Sequence, residues 1–409
     1  MSPMLAPHTK QSLFNVWFSA DDEDYVFNTK TSAMFQMDPA YLSHVSEDEA
    51  CTLMSSGILV YEKKDEVSIL EHEVMEGLNV PIGEVYLTIV LTERCNFRCV
   101  YCYQEHGGES LTPRDSHELL KHAERIVQRG ATALRIVYFG GEPLLNREAI
   151  LQIDAGMKAI SREYGVEYSA LISTNGSLLD DELLERVSFE RIRLTFDGDE
   201  TWHNSLKRAH SFPYREQVSL LDRIVRTTSS NLEIRLNLCR ENADSFVETL
   251  NDISTMISAN IRRIRLVYAA LHNEVHSPTF HELTSEHFAH KVLLLRLHAR
   301  NLGFTQCLPG MSRPCPFRTG RALCIGPGLR RRICSERIEF FDEANGVTSY
   351  QDIAFHGTCR SCSVLPLCMG PCPMSPEKHV CIPERYILRD LLRDFVCHRE
   401  GWVIEQEHE

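Results

Sequence analysis

Most of the cysteines of this chain lie in two groups, and this placement limits the possible folds more than any other sequence feature. Of fifteen cysteines, three lie between residues 95 and 102 and ten between 307 and 397, whereas Cys51 and Cys239 stand apart. Disulfide-stabilised scaffolds are usually small secreted domains, but this chain has 409 residues and no basic-then-apolar signal at its start. We therefore expect a cytoplasmic protein whose cysteines bind metal.

Charge and hydropathy narrow the class of partners. The formal net charge is −14, which disfavours generic binding to the phosphate backbone of nucleic acids. No apolar run reaches the roughly 18 residues that a membrane-spanning helix requires. We therefore expect no nucleic-acid partner and no membrane partner.

Residues 84–300 alternate between short apolar runs and longer helix-like stretches. The apolar runs predict six strands, at 84–92, 134–140, 168–174, 191–198, 232–238 and 263–269. The stretches between and after them predict helices at 113–129, 146–163, 179–188, 213–229, 242–258 and 283–301, the first capped by Thr112 and ended by Gly130. Six βα units indicate a parallel sheet, open or closed into an incomplete barrel, with ligands at the carboxyl ends of its strands.

The segments on either side of this region have a different character. Residues 14–28 predict a hairpin, and polar helical stretches with a strand-like run at 57–70 follow, which favours a small α+β appendage of winged-helix type. Beyond 302 the chain is rich in cysteine, proline and glycine, so metal cross-links are the natural source of its order. An amphipathic segment at 384–396 follows. We expect three domains, at 1–82, 83–302 and 303–409.

The first cysteine group has the spacing of a metal site. Cys95, Cys99 and Cys102 form a C-x3-C-x2-C pattern directly after the first predicted strand. Three thiolates can hold three irons of a 4Fe-4S cluster and leave the fourth iron open, and an open metal position is a reactive one. The spacing alone leaves a second possibility, a zinc site completed by a distant histidine.

With Tyr101 before its last cysteine, this pattern resembles the signature of the radical S-adenosylmethionine (SAM) enzymes. Further motifs similar to those of that family end successive predicted strands in the same order: GGEP at 140–143, STNG at 173–176 and TFDG at 195–198. Each motif alone is weak, since a GGE tripeptide is more often a plain turn. Together they make residues 84–300 similar to a radical SAM core.

The resemblance implies a partial (β/α)6 barrel and a radical mechanism. In that family, SAM binds the open iron of the 4Fe-4S cluster, and one electron cleaves it to methionine and a 5′-deoxyadenosyl radical that abstracts hydrogen from carbon. The electron comes from an external reductant such as flavodoxin or ferredoxin. The cofactor supplies the difficult chemistry, and the protein orients and shields it.

The resemblance also implies roles for single residues. Gly140, Gly141 and Glu142 would receive the amino group of the methionine moiety, and Tyr101 would pack near the adenine. The residues implied to approach the rest of the cofactor are Thr174 and Asn175, with Thr195 and Arg208 at the ribose or carboxylate. A surface ion pair is the alternative role for Arg208.

The second cysteine group resembles a known extension of such cores. Its central pattern is C-x2-C-x5-C-x3-C, formed by Cys359, Cys362, Cys368 and Cys372. Spacing alone allows either a zinc knuckle or an iron–sulfur site. Behind a radical SAM core, the pattern resembles the SPASM extension, which binds one or two auxiliary 4Fe-4S clusters.

The family's ligand order can be carried over to this group. It would place Cys359, Cys362 and Cys368 in one cluster with a later cysteine, for which Cys381 is our prediction and Cys397 the competitor. The other cluster would take Cys372, Cys324 and Cys315. Where the family has a further cysteine this chain has Gln351, so either Cys334 or Cys307 replaces it, or that iron stays open or the cluster is lost.

Enzymes with this two-part architecture mostly modify peptides or proteins. We expect a ribosomally made precursor peptide as the substrate, in which a thioether, carbon–carbon or ether crosslink is formed, and residues 1–82 could bind its leader by adding it as a strand. Maturation of a sulfatase is the alternative enzymatic function. A zinc scaffold or a plain electron-transfer protein is the non-enzymatic one.

Overall fold

The computed structural model describes residues 8–79, 83–104, 106–209, 211–257, 261–273, 275–310, 315–317, 321–334, 355, 357–370, 381–400 and 402–404. Its strands are β1 (Thr9–Gln11), β2 (Asn15–Ala20), β3 (Glu23–Asn28), β4 (Met34–Gln36), β5 (Leu59–Tyr61), β6 (Glu84–Val90), β7 (Ala133–Phe139), β8 (Glu167–Thr174), β9 (Arg191–Phe196), β10 (Asn231–Leu238), β11 (Ile264–Ala270), β12 (Gln306–Leu308), β13 (Ala322–Ile325), β14 (Arg331–Arg332) and β15 (Trp402–Ile404). Its helices are α1 (Glu47–Ser55), α2 (Glu66–Asn79), α3 (Pro113–Gln128), α4 (Arg147–Tyr164), α5 (Asp181–Arg186), α6 (Glu200–Lys207), α7 (Tyr214–Thr227), α8 (Phe246–Met256), α9 (Ser285–Asn301), α10 (Leu365–Cys368) and α11 (Glu384–Cys397).

The central sheet confirms the predicted α/β fold with its partial (β/α)6 barrel. Strands β6 to β11 lie side by side in chain order, and each neighbouring pair is parallel. Each of the six strands is the predicted one, with bounds that differ by at most two residues. Helices follow the strands, so the carboxyl ends of all six strands meet at one rim.

The two faces of this sheet differ in chemistry because side chains alternate along a strand. One face carries fully buried residues such as Leu87, Ile136 and Ile234, which belong to the main hydrophobic core with residues of the surrounding helices. The opposite face, here called the inner face, carries half-buried polar residues such as Arg193 and Thr195. The inner face is therefore the one available to ligands.

A short strand from the C-terminal region extends the barrel sheet. β13 pairs in parallel with β6, with Cys324 opposite Thr88, and β14 pairs antiparallel with β13. The barrel and the cysteine-rich region thus share one sheet across the predicted boundary at 302. The four residues of β13 are too few to show a period in the sequence.

The N-terminal residues form the predicted hairpin but correct another prediction. β2 and β3 pair antiparallel within 14–28, and β4 adds a third strand. The run 57–70 is wrong as a strand, because β5 contains only Leu59–Tyr61 and α2 begins at Glu66. Val67, Leu70 and Val74 are buried and lie on one face of α2. The predicted run ended at residue 70, so it contained too little of this helical pattern to reveal the helix.

The N-terminal residues pack on the cysteine-rich region. Phe14 and Leu70 share a hydrophobic cluster with Phe355 and Leu365, and Cys359 and Cys362 pack against it. The Glu71 carboxylate accepts hydrogen bonds from the Phe355 N–H at 2.7 Å and from Arg360 at 3.1 Å. The predicted division into three domains stays a prediction, and residues 80–82, at the first of its two boundaries, lie outside the described residues. None of the helices that the structure describes is long and apolar enough to cross a membrane.

The predicted cap of α3 supports a stability prediction. The Thr112 hydroxyl accepts from the Asp115 N–H, and the Asp115 carboxylate accepts from the Thr112 N–H, so two orphan donors of the helix start are satisfied. Thr112→Ala should lower the free energy of unfolding by about 1 kcal/mol, measured by urea denaturation of the reduced apoprotein. The matched control is Ser219→Ala inside α7, for which a change below about 0.5 kcal/mol is expected. Equal effects of both substitutions would contradict the capping role.

Candidate cluster and cofactor site

The first cysteine loop, residues 95–102, lies at the rim directly beyond β6. Its cysteines are half-buried, and the Phe97 N–H points at the Cys95 sulfur from 3.4 Å. The Val100 N–H donates to the Leu206 carbonyl at 2.8 Å, which ties the loop to α6. The loop is therefore held between β6 and α6, with its thiols at the carboxyl ends of the barrel strands.

The electrostatics of the loop suit a cationic ligand. Burial raises the pKa of the Cys99 thiol to about 12, against the opposing effect of the Lys207 ammonium. Burial likewise raises the pKa of Cys95 and of Cys102. Thiols in such surroundings become thiolates when a metal binds them, since coordination deprotonates them outright. Their donor set therefore fits a bound iron–sulfur cluster.

The described thiols of this loop form no site for a single ion, which a bound cluster would not require. Within the described residues, no group of three or more His, Cys, Asp and Glu side chains is placed to hold a single metal ion. The thiolates of a 4Fe-4S cluster bind different iron atoms, so they need not converge on one point.

Two glycines at the end of β7 clamp the segment that leads into this loop. The Gly141 N–H donates to the Thr92 carbonyl and the Glu142 N–H to the Arg94 carbonyl, both at 2.9 Å. A Cβ on Gly140 would lie 2.3 Å from the Thr92 oxygen, and Gly140 has a φ of +142°. A side chain there would therefore push the start of the cysteine loop away from the sheet.

Glu142 is a buried carboxylate that joins the ends of two strands. Its Oε1 accepts from the Thr174 hydroxyl at 2.7 Å and from the Leu144 N–H at 3.0 Å, and its Oε2 accepts from the Asn175 N–H at 2.8 Å. Burial raises the pKa of Glu142, and these three hydrogen bonds oppose that rise. Since a carboxylate has about four acceptor positions, Oε2 retains capacity for a donor such as an ammonium group.

Tyr101 connects the cysteine loop to the carboxyl ends of β9 and β10. Its hydroxyl donates to the Asp197 carboxylate at 2.8 Å, and the Asn237 side chain donates to the other oxygen of that carboxylate at 2.9 Å. The ring of Tyr101 meets Phe280 edge-on, with centroids 6.5 Å apart. This network fixes the tyrosine between β9 and β10, on the side of the barrel opposite the clamp.

Thr195 is paired with a cation that the sequence analysis did not single out. The buried Lys207 ammonium donates to the Thr195 hydroxyl at 2.8 Å and to its carbonyl at 2.7 Å. Arg208 is exposed and forms the left-handed cap that ends α6. The predicted cofactor contact of Arg208 stays a prediction, and Lys207 is the cation that the structure brings to the site.

The auxiliary cysteines fall into two sets. Cys359, Cys368 and Cys381 are close enough for each thiolate to raise the pKa of a neighbour, and the Arg385 guanidinium approaches the Cys381 sulfur at 2.9 Å. Cys397 lies elsewhere, exposed and 3.6 Å from an Asp21 carboxylate oxygen. The structure therefore groups Cys381, rather than Cys397, with the C-x2-C-x5-C run. Cys372 and Gln351 lie outside the described residues.

The cysteines considered for the other predicted cluster lie on different elements of the C-terminal region. Cys324 is buried in β13, and Cys334 follows β14 two residues beyond Arg332, the residue that pairs with Cys324. Cys315 is exposed, and Cys307 lies in β12 opposite Val403. That these four are ligands stays a prediction.

An ion pair joins the two cysteine regions directly. The guanidinium of Arg332 lies 2.6 Å from the carboxylate of Glu93, and both side chains are largely buried. Glu93 precedes Cys95 by two residues and Arg332 precedes Cys334 by two.

Sequence reasoning missed Lys207, Asn237 and the Glu93–Arg332 pair, although it quoted the motif containing Asp197. Helical position is the only signal for Lys207, because it follows His203 by one turn of α6 and both are buried. Nothing local marks Asn237, since its role depends on a register between β9 and β10.

The grouping of Cys381 predicts a difference between two single substitutions. Cys381→Ala should lower the iron content of anaerobically reconstituted protein by up to about four irons per chain, because it removes a ligand of one auxiliary cluster. Cys397→Ala should leave the iron content unchanged. Iron quantification with Mössbauer spectroscopy checks both, and the reverse pattern would show that Cys397 is the ligand.

Comparisons with known proteins agree with this geometry. Residues 89–253 match the Radical SAM superfamily. Radical SAM cyclopropyl synthase TigE of Paramaledivibacter caminithermalis is 27% identical over 182 residues, which are 37% of this chain and 38% of TigE. GTP 3′,8-cyclase of Listeria welshimeri is 35% identical over 133 residues, which are 30% of this chain and 37% of the cyclase. The chain therefore spans well under half the length of these relatives.

A solved structure extends the likeness to nearly the whole fold. SuiB of Streptococcus suis, bound to its precursor peptide SuiA, superposes with a TM-score of 0.52 at 12% identity, over 92% of this chain and 98% of SuiB. At this identity the match concerns the fold alone. It includes the regions before and after the barrel, since residues 89–253 are a much smaller share of the chain.

Proposed function

We propose, from the radical SAM domain that residues 89–253 form, that this chain is an enzyme that reductively cleaves SAM and abstracts hydrogen from a peptide. The observation that carries the proposal is the clamp between the end of β7 and the first cysteine loop. It holds the loop so that the Glu142 carboxylate lies near enough to Cys95 to add to the rise that burial causes in the pKa of its thiol, and this carboxylate keeps an acceptor position at Oε2. When bound, the cluster and SAM together supply the radical that removes the hydrogen atom.

The residues of this chain would bind and orient the cofactor. Cys95, Cys99 and Cys102 hold the cluster, and Glu142 receives the amino group of SAM together with the glycine backbone. Tyr101, fixed by Asp197, packs near the adenine. The remaining contacts come from Thr174, Asn175, Thr195, Arg208 and the newly found Lys207. An external reductant such as flavodoxin or ferredoxin supplies the electron.

A ribosomally made precursor peptide is the substrate class that we favour. The fold similarity to SuiB supports it, because SuiB was crystallised with a precursor peptide and resembles this chain over 92% of its length. The GTP 3′,8-cyclase match covers only 30% of this chain. Sulfatase maturation remains the alternative within the same chemistry.

The N-terminal sheet offers an edge for the leader of such a peptide. The sheet order is β2-β3-β4, and β2 packs on α11, where Arg393 donates to the Ser19 carbonyl at 3.0 Å. On the other side, no further strand of the described residues pairs with β4. We propose that the leader adds to β4, where backbone hydrogen bonds give affinity and side-chain pockets give specificity.

The radical reaction predicts a specific loss of activity. Anaerobically reconstituted protein with dithionite should convert SAM to 5′-deoxyadenosine, detected by chromatography, and Cys99→Ala should abolish the conversion because the cluster loses a ligand. The matched control is Cys51→Ala, which removes an exposed cysteine of α1 and should retain full conversion. Conversion that persists in Cys99→Ala would contradict the ligand assignment.

The proposed leader site predicts that the Gln36 backbone N–H on β4 contributes to binding of the precursor peptide. The Asn28 N–H donates to the Ala33 carbonyl, and the Met37 N–H donates to the Asp24 carbonyl. Hydrogen-bonded and non-hydrogen-bonded pairs alternate along an antiparallel ladder, so the N–H of Gln36, next to Met37, points away from β3 to the outer edge of the sheet. Gln36→Pro removes this donor and should weaken binding of the precursor about fivefold or more, whereas Gln36→Ala should not. Fluorescence anisotropy with the peptide of a small neighbouring reading frame measures both. Equal affinities in the two variants would argue against docking at β4.

A further inference from the structure

The inner face of the barrel carries an arginine-rich patch on β9, β10 and β11. Odd-numbered residues point to this face, and they include Arg191, Arg193, Arg235 and Arg265. The carboxylate of Glu233 lies among these arginines, and that of Glu190, directly before β9, lies 3.9 Å from Arg191. The patch is therefore basic, although the chain as a whole has a net charge of −14.

Two of the arginines are already paired. Arg191 and Arg193 both bind the Glu233 carboxylate, the first at 3.3 Å, and the side chain of Glu233 is only 3% exposed. The two guanidinium groups satisfy the acceptor positions of the buried carboxylate, which in turn holds both arginines in place. This pair of contacts fixes the patch at the level of Glu233.

Arg235 is different, because none of the described carboxylates lies within ion-pair distance of it. Its Nε donates to the Asn237 side-chain oxygen at 3.1 Å. Among the residues that the structure describes, its two terminal nitrogens have no hydrogen-bond partner, and neither is a buried unsatisfied atom, so solvent reaches them. A half-buried guanidinium held by one bond at Nε presents its two outer N–H groups as a fork, the geometry that binds a carboxylate at both oxygens.

The position of Arg235 places this fork inside the reaction chamber. Arg235 is two residues before Asn237 on the same face of β10, which is about 7 Å deeper in the barrel. Asn237 itself contacts Asp197, the partner of Tyr101 from the cysteine loop. The Arg235 guanidinium reaches up to the Asn237 side chain, so a group bound by its fork would lie on the inner face of the barrel, next to the network that holds Tyr101.

We propose that Arg235 is a specificity-determining residue that binds a carboxylate of the substrate, so that the modified peptide carries an acidic residue or its C-terminus next to the reacting carbon. The inference rests on the proposed function and specifies its substrate class as an acidic peptide segment. The neighbouring arginines Arg191 and Arg193 add favourable potential for the same charge.

The carboxylate of SAM is the alternative ligand for the Arg235 guanidinium. Arg235 lies level with Thr195 in the strand register, and Thr195 is a predicted cofactor contact. Under the proposed function, however, the amino and carboxylate groups of SAM bind the same open iron, and Glu142 at the end of β7, three strands from β10, receives the amino group. Lys207 also already supplies a cation at Thr195. The substrate carboxylate is therefore the occupant that fits.

Two matched peptides test the proposal on the reconstituted enzyme with SAM bound. The probes are N-acetyl-glycyl-glutamyl-glycinamide and its glutaminyl counterpart, and their affinities are measured anaerobically by saturation-transfer NMR titration. The glutamyl peptide should bind about tenfold more tightly to the wild type, as expected for one charge-assisted fork. Arg235→Gln should abolish this preference, and Arg235→Lys should restore part of it.

The controls separate the possible failures. Arg186→Gln removes an exposed arginine of α5 and should keep the preference. The proposal would be overturned if the two peptides bind the wild type with equal affinity, or if the preference for the glutamyl peptide survives Arg235→Gln. The comparison of the two peptides on the wild type tests the proposal even if the variant does not fold. A loss of SAM affinity in Arg235→Gln that matches the loss of peptide affinity would assign the fork to SAM instead. Absence of 5′-deoxyadenosine from the wild-type reaction would count against the proposed function itself, whatever the peptide preference.

Discussion

The close approach of two backbone segments is the constraint on which the site depends. Gly140 and Gly141 bring the end of β7 against Thr92 and Arg94, at distances that leave no space for a Cβ. Two backbone hydrogen bonds then fix the entry to the cysteine loop. Because hydrogen bonds of main chain to main chain do not depend on rotamers, the loop start is placed as firmly as the sheet itself. Backbone packing therefore requires glycine at positions 140 and 141, independently of any contact with a cofactor.

The buried charges of the site are arranged around this clamp. Glu142 joins the ends of β7 and β8, and Asp197 joins β9, β10 and the cysteine loop through Tyr101 and Asn237. Burial raises the pKa of both carboxyl groups, and the nearby Lys207 ammonium opposes that rise in each. A buried carboxylate is costly unless it is hydrogen-bonded and near a cation, so these groups stabilise each other and rigidify the barrel mouth.

Sequence reasoning recovered the barrel because its strands are long and bounded by helices of regular spacing. It also placed the motif residues at the rim, since carboxyl ends of parallel strands meet there. It missed β13 because a strand of four residues has no readable period, and it misread 57–70 because the start of α2 was cut from its helical continuation. The Glu93–Arg332 pair and the role of Asn237 come from contacts between residues far apart in the chain. Such contacts depend on register and not on any local pattern.

The central claim is that three thiolates leave one iron open beside Glu142, where SAM binds. Electron–nuclear double resonance on the reduced, reconstituted enzyme tests it most directly, with SAM isotope-labelled at its amino nitrogen and its carboxylate oxygens. The account predicts hyperfine coupling of both labels to the cluster, and loss of the nitrogen coupling when Glu142 is replaced by alanine. A cluster that shows no coupling to either label, or zinc in place of iron at these cysteines, would contradict it.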